Sequence, residues 1–551
     1  MKKLLTCALF FILLAACKNN KNDKETTNEN NSEKTENVKK ITKRDYSINP
    51  SNSYTDLFLD SNMVENFIAE KKLSDTLSRR IRSIYNARNY QFAWFSKDGV
   101  TEQGRSFWNL HQYYTTYSSN NSLDDKALKK KMNALISVDT LSIKAADKSI
   151  ANTEIALTQH FIQYMLDNYK SGEIKRKETE RYVPFKKEDA MYLADSLLTK
   201  KHKDNTYYSD VNPSYKLLQN QLQKYYDVAK KGGWQSIDAN QKKIKKGDSS
   251  LAVLAIKKRL QVTGEMPAGD TTQTFNDQLA AAVKSFQISR GLTPTGFITT
   301  PLIKEMNVPA LKRVEQLLIN MGRMRWMLNH TEGNLITVNL PEFVLHVYEG
   351  KNKKFDMNVV VGKEGHNTTI FTGNLNQIVF SPYWNVPYDI VEKEILPSIE
   401  KNPNYLAEND MEEVGEPVDG IPTIRQLPGP KNSLGLVKFL FPNSYDIYFH
   451  DTPAKSLFTQ DKRAYSHGCI RLSDPVKMAN YLLRNQPEWT PEKIDEAMNS
   501  GEEQFVKLKN PVPVLITYYT AWVDEHGLLN FRDDIYGHDA TLAQKMFTNP
   551  L

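Results

Sequence analysis

Apolar residues recur every three or four positions from about Tyr54 to Leu328, and from about Asn334 the period drops to two. A buried helical stripe needs spacing near 3.6, whereas a half-buried strand needs alternation, so the chain must pair a helical part with a following sheet. Its 551 residues are too many for one ordinary core and allow about two to four domains. Hydrophobic content of 40% and charged content of 25% suit a globular protein. A net charge of +7 is small for this length, and no Lys/Arg run outside the N-terminus forms a nucleic-acid footprint.

The expected architecture is multidomain α+β. Residues 46–246 read as a helical scaffold, with stripes such as Leu77, Ile81, Ile84 and Tyr85, then Ile155, Phe161, Ile162, Tyr164 and Met165. Within it, Phe92-Ala93-Trp94-Phe95 closes on a Lys97-Asp98-Gly99 turn, and no catalytic cluster stands out. Residues 247–308 form a compact unit. Leu251, Leu254, Ala255 and Leu260 suggest one helix, Leu279, Val283 and Phe286 a second, and Thr299 N-caps a third after the Gly291–Gly296 turn. A linker helix spans 309–333.

The β-rich domain is expected over 334–532, followed by a tail at 533–551. Ile336, Val338 and Leu340, then Phe343, Leu345 and Val347, alternate across Pro341-Glu342 and predict a hairpin. Further strands are expected at 355–361, 378–380, 447–449 and 514–518. The pattern breaks into a Pro/Gly-punctuated insertion at about 392–436, which reads as a lid.

The N-terminus reads as a targeting segment. Lys2 and Lys3 precede an apolar run from Leu4 to Ala16, too short to span a bilayer but suited to a signal peptide at 1–16. Leu14-Ala15-Ala16-Cys17 resembles the bacterial lipobox, with Cys17 the lipidated residue. Residues 17–45 are nearly all polar and read as a solvated tether. The expectation is an exported protein, lipid-anchored to the inner or outer membrane and facing the periplasm.

Cysteine usage then becomes informative. Of three cysteines, Cys7 leaves with the signal and Cys17 carries lipid, so Cys469 remains without a disulfide partner. It lies in Tyr465-Ser466-His467-Gly468-Cys469-Ile470-Arg471-Leu472, with Tyr448-Phe449-His450-Asp451-Thr452-Pro453 upstream. A thiol becomes a useful nucleophile when an imidazole or a cation favours its thiolate. Two histidines and an arginine supply that chemistry here. Gly468 removes a side chain beside the sulfur, and His450 ends an alternating strand, a firm mount for a base.

The stretch HDTP…YSHGCIRL, with 19 positions from His450 to Cys469, resembles the active-site signature of the YkuD-type L,D-transpeptidases. NMGRMRWM, VNLPEF, FSPYWNVP, RQLPGPKNSLG and YYTAWVDEHGLLNFRDDIYG resemble the large multidomain branch of that family. LAVLAIKKRLQ…LAAAVKSFQISRGLTPTG resembles its three-helix peptidoglycan-binding domain. The resemblance implies that Cys469 is the nucleophile and His450 the general base, oriented by a backbone carbonyl. It implies that Ser466, His467 and Gly468 shape the site, that N–H groups around Cys469 form an oxyanion hole, and that Arg471 holds a substrate carboxylate. Many members have Asn at the Arg471 position, though the large branch commonly has Arg. Tyr448, Trp384 and Arg425 are expected as pocket walls.

The implied reaction is attack on a peptidoglycan tetrapeptide stem, release of D-alanine, and transfer of the thioester-held acyl group to the amine of a second stem, giving a 3–3 cross-link. The partners would be donor and acceptor stems and, through Cys17, the membrane; no cofactor or metal is expected. Alternatives are an L,D-carboxypeptidase using water and a non-catalytic peptidoglycan-binding lipoprotein. A papain-like peptidase would place its cysteine before the histidine. A zinc site of His450, His467 and Cys469 lacks a clear fourth ligand.

Overall fold

The computed structural model describes residues 40–117, 122–137, 141–168, 176–199, 213–238, 243–327 and 333–551. The expected signal segment, Cys17 and most of the expected tether lie outside them. Among the described residues, no helix is long and apolar enough to cross a membrane.

The helical half assembles because its amphipathic stripes meet around one aromatic core. Helix Ser61–Glu70 starts on Asp60, whose carboxylate accepts from Asn62 N–H, and helix Asp75–Ala87 starts on Ser74, which accepts from Leu77 N–H. Such caps satisfy N–H groups that the helix itself leaves unpaired. Helices Glu102–Tyr117 and Lys148–Asn168 bring Phe107 and Phe161 to Trp94, with ring centroids 5.0 and 5.4 Å away.

Two segments join this core that local pattern assigned elsewhere. Helix Ala310–Met324, expected as a linker, buries Val314, Leu317, Leu318 and Met321 in the scaffold core. The expected tail contains helix His538–Met546, which buries Leu542, Ala543 and Met546 in the same core. Arg323 fastens the three parts, with Nε 2.7 Å from Glu102 and Nη1 2.5 Å from Asp539.

The middle unit has its own core of Val253, Ile256, Leu279, Val283, Phe286, Leu302 and Ile303, from helices Leu251–Thr263, Asp277–Ser289 and Thr300–Met306. Thr299 occupies the third helix's N-cap position but its side chain makes no cap bond. The unit leans on the β domain at its turn. Thr293 Oγ1 donates to Asp461 Oδ1 at 2.7 Å, and Arg532 Nη1 donates to the Ser289 carbonyl at 3.1 Å. Arg532 packs so closely over Gly291 that a Cβ there would meet its Nε at 2.4 Å.

The β domain is built on nine strands: β1 Asn334–Asn339, β2 Val344–Glu349, β3 Asn352–Gly362, β4 Thr372–Phe380, β5 Val437–Leu440, β6 Phe449–His450, β7 Ala464–Ser466, β8 Ile470–Leu472 and β9 Gln504–Thr517. Their order is β7-β3-β8-β6-β5-β4-β9-β1-β2, and a further β2–β3 pairing closes eight of them into a ring. The hairpin forms as the alternation predicts: Asn339 faces Val344, and a 3-10 turn at Leu340–Glu342 reverses the chain. Ile336, Val338, Leu345, Val347, Phe449, Ile470 and Leu472 fill the interior.

The insertion is a folded unit, and it begins earlier than the pattern break. A helical run covers Tyr388–Lys401, with a π-helical stretch at Val391–Ile395, and Trp384–Asn385, Ile424–Gln426 and Met411–Glu413 form a small sheet. Val386, Val391, Ile395 and Ile424 make its core. Strands of two or three residues display no period, and a π-helix breaks the 3.6 spacing.

Candidate active site

The site is a consequence of strand register. β6 and β8 run parallel, with Phe449 opposite Ile470 and His450 opposite Arg471. Phe449 and Ile470 are both fully buried in the ring. Alternation therefore puts His450 and Arg471 on the other face, together with Tyr448 and with Cys469, the residue before β8.

The turn into Cys469 is stapled by Ser466. Its buried hydroxyl donates to the Cys469 carbonyl at 2.5 Å and accepts from Gly468 N–H at 3.2 Å. Gly468 has φ +116°, a conformation that favours glycine. Thr368, buried and donating to the Gly468 carbonyl at 2.7 Å, fixes the turn from behind. Ser466 is thus a positioning residue, its hydroxyl committed within the turn. Gly468 N–H is used by Ser466, and Ile470 N–H donates to the Tyr448 carbonyl at 3.1 Å. Among the described hydrogen bonds, none uses the Cys469 N–H.

His450 is 4% exposed, and its Nδ1 lies 2.5 Å from the Asp451 carbonyl oxygen. The Asp451 carboxylate faces elsewhere: Oδ2 accepts from Leu436 N–H at 2.9 Å and Oδ1 pairs with Lys455. Burial, reinforced by the Arg471 cation, pushes the His450 imidazole down to about 3. Cys469 is partly exposed, and its thiol donates to the Asp446 carbonyl at 3.6 Å. Burial pushes it up to about 11, outweighing hydrogen bonding with Tyr448 and the pull of Arg471. At neutral pH the resting site therefore holds a neutral thiol and a neutral imidazole. Buried Nε of Arg471 has no hydrogen-bond partner among the described residues.

The remaining expected residues fall in two groups. Tyr448 stands in the site, its ring centroid 5.8 Å from that of His450. His467 points to the mouth, where Nε2 lies 2.9 Å from Glu394 Oε1 and 3.4 Å from Lys363 Nζ, with the His366 ring 4.9 Å away. Trp384 and Arg425 are wall residues of the insertion instead. Trp384 packs on its core opposite Gln426, and Arg425 pairs with Glu412 at 2.6 Å and stacks over Tyr383. Lys363, His366, Thr368 and Glu394 escaped sequence reasoning because they lie far from the cysteine motif. Glycine spacing in VGKEGH was the available signal, since a Cβ on Gly362 would meet the His366 carbonyl oxygen at 2.0 Å.

Among the described residues, no three of His, Cys, Asp and Glu stand together as a metal-ligand set. His467 turns to Glu394 and His366, and His450 to a main-chain carbonyl.

Family models match three stretches of the chain. Residues 333–514 match the L,D-transpeptidase catalytic domain (YkuD), residues 79–222 a scaffold domain, and residues 249–306 a "Putative peptidoglycan binding domain". A Haemophilus influenzae protein named "Putative L,D-transpeptidase" is 30% identical over 303 residues, which are 51% of this chain and 60% of that protein. The chain thus spans less than two thirds of that relative. Solved structures with partial likeness include an L,D-transpeptidase from Stackebrandtia nassauensis, at 13% identity, TM-score 0.20, and coverage of 51% of this chain and 95% of that one. Another is an L,D-transpeptidase from Mycobacterium smegmatis, at 14% identity, TM-score 0.19, and coverage of 33% and 58%. Likeness that low describes only partial overlap, and the assignment rests on the domain matches. The chain thus carries an L,D-transpeptidase catalytic domain (YkuD) at residues 333–514, together with a scaffold domain at 79–222 and a peptidoglycan-binding domain at 249–306.

Proposed function

We propose that the protein is an L,D-transpeptidase that forms a thioester at Cys469 with a peptidoglycan tetrapeptide stem, releases D-alanine, and transfers the acyl group to an amine to make 3–3 cross-links. The observation that carries this is the register that sets Cys469, Tyr448, His450 and Arg471 on one face of two adjacent strands.

Because thiol and imidazole are both neutral at rest, the base acts in the transition state and not through a preformed ion pair. His450 takes the thiol proton as sulfur attacks the carbonyl before D-alanine, and the Cys469 N–H meets the developing oxyanion. The C–N bond breaks, His450 returns the proton to the departing amine, and D-alanine leaves. Arg471, cationic and with an unsatisfied buried Nε, suits a carboxylate of the donor stem and favours the thiolate. The insertion then limits water at the thioester, favouring transfer over the carboxypeptidase outcome.

The middle unit would hold the enzyme on peptidoglycan, and Cys17 would anchor it by lipid, facing the periplasm. Mass analysis of the N-terminal peptide from cells tests the anchor: a lipid-modified Cys17 supports it, and an unmodified residue contradicts it. For the reaction, the full-length protein is incubated with disaccharide-tetrapeptide. D-alanine release with dimers supports transfer, release with tripeptide alone supports hydrolysis, and no release contradicts both.

A further inference from the structure

The thiol and His450 do not use the second titratable group of the motif, His467. Its surroundings are unusual. Its Nε2 is 2.9 Å from the Glu394 carboxylate and 3.4 Å from the Lys363 ammonium. One ring nitrogen can donate to the first or accept from the second, but not both at once. Glu394 comes from the π-helical stretch of the insertion, and such stretches concentrate at functional sites. Lys363 comes from the loop after β3, so three separate segments meet two residues from Cys469 along the chain. His366, Asp389 and Lys393 complete the polar rim; Lys393 is paired with Asp389 at 2.8 Å.

An acyl-enzyme needs a second substrate whose amine arrives protonated and must lose a proton to become a nucleophile. We propose that Glu394, His467 and Lys363 form the seat of that acceptor, positioning the ammonium and the neighbouring carboxylate that the acceptor of a 3–3 cross-link carries on one carbon. This rests on the thioester reading above. Glu394 draws the ammonium, Lys363 takes the neighbouring carboxylate, and His467 Nε2 accepts one ammonium proton and then donates to Glu394. The neutral amine attacks the thioester carbonyl, the C–N bond forms and the C–S bond breaks. The Cys469 thiolate recovers a proton from the new amide nitrogen through His450, and His467 releases its proton to solvent. A seat partly made by the insertion also ties transfer to closure: with the insertion displaced, the carboxylate half is gone.

The test uses the full-length protein and a tetrapeptide donor whose own side-chain amine is acetylated, so that it cannot serve as acceptor. Glycine and methylamine are added at equal free-base concentrations, and adduct and hydrolysis products are counted by mass. The wild type is expected to favour the glycine adduct. Glu394→Gln is expected to lower the ratio of amine adduct to hydrolysis product by about tenfold or more, as loss of positioned proton transfer does, with partial recovery in Glu394→Asp. Lys363→Met is expected to erase the preference for glycine over methylamine. An unchanged ratio in Glu394→Gln overturns the proposal, as does a Glu394→Gln protein that no longer acylates, because Glu394 would then serve the donor half. A wild type that shows no acyl-enzyme mass removes the thioester reading itself and this seat with it.

Discussion

His450 and Arg471 stand directly opposite each other on the neighbouring parallel strands β6 and β8. A guanidinium facing an imidazole favours the neutral base, and the same cation favours the Cys469 thiolate. One residue thus prepares both partners of the proton transfer. Arg471→Met is expected to lower kcat/KM for D-alanine release by about 10- to 100-fold, the scale of one charge-assisted interaction of about 1.5–3 kcal/mol. Arg471→Lys should recover only part, since an ammonium lacks the forked geometry. Steady-state D-alanine release on refolding-checked variants reads both.

The Cys469 thiol, pushed up to about 11, should be slow to alkylate in the free protein. Iodoacetamide labelling followed by mass analysis is expected to stay slow at pH 7 and to climb up to about pH 11, without the plateau near neutrality that a preformed thiolate would show. Arg471→Met should move that climb to higher pH.

His346 gives a stability signature with the opposite pH sense to His450. Asp356 at 2.7 Å and Glu342 at 3.2 Å outweigh its burial and raise its imidazole to about 9. The folded state therefore binds a proton that the unfolded state releases near 6.5. Its stabilisation is fully present below pH 6.5 and lost as pH rises through about 9. The Tm difference between wild type and His346→Gln should shrink across that window. His450, pushed down to about 3, works the other way: its contribution is full above pH 6.5 and lost as pH falls towards 3.

Arg323 joins helix Ala310–Met324 to the scaffold through Glu102 and to the C-terminal helix through Asp539. Arg323→Met would leave two partly buried carboxylates without their cation, and unfolding in urea is expected to show a loss of about 3 kcal/mol. The triple variant with Glu102→Gln and Asp539→Asn should regain a large part of that loss.

Much of this architecture is legible in the residues, and the exceptions have physical reasons. The β1–β2 hairpin can be read because Ile336, Val338, Leu345 and Val347 alternate without interruption. Cys469 and His450 can be read because one short motif holds the thiol, both histidines and the arginine. The Glu394–His467 contact joins residues 73 positions apart, and no local pattern reports such a pairing. Likewise Leu542 and Met546 announce an apolar helix face but not which core it enters; only packing puts them against the scaffold. Ser466 was expected to shape the site, and its hydroxyl is spent on the turn itself.

The central claim is that a thioester forms on Cys469. Intact-protein mass spectrometry during turnover of disaccharide-tetrapeptide tests it most directly. The expected result is an added mass equal to the disaccharide-tripeptide acyl group, mapped to Cys469 by peptide digestion and absent in Cys469→Ala, which also releases no D-alanine. D-alanine release by Cys469→Ala at the wild-type rate, or an adduct mapped to another residue, would contradict it.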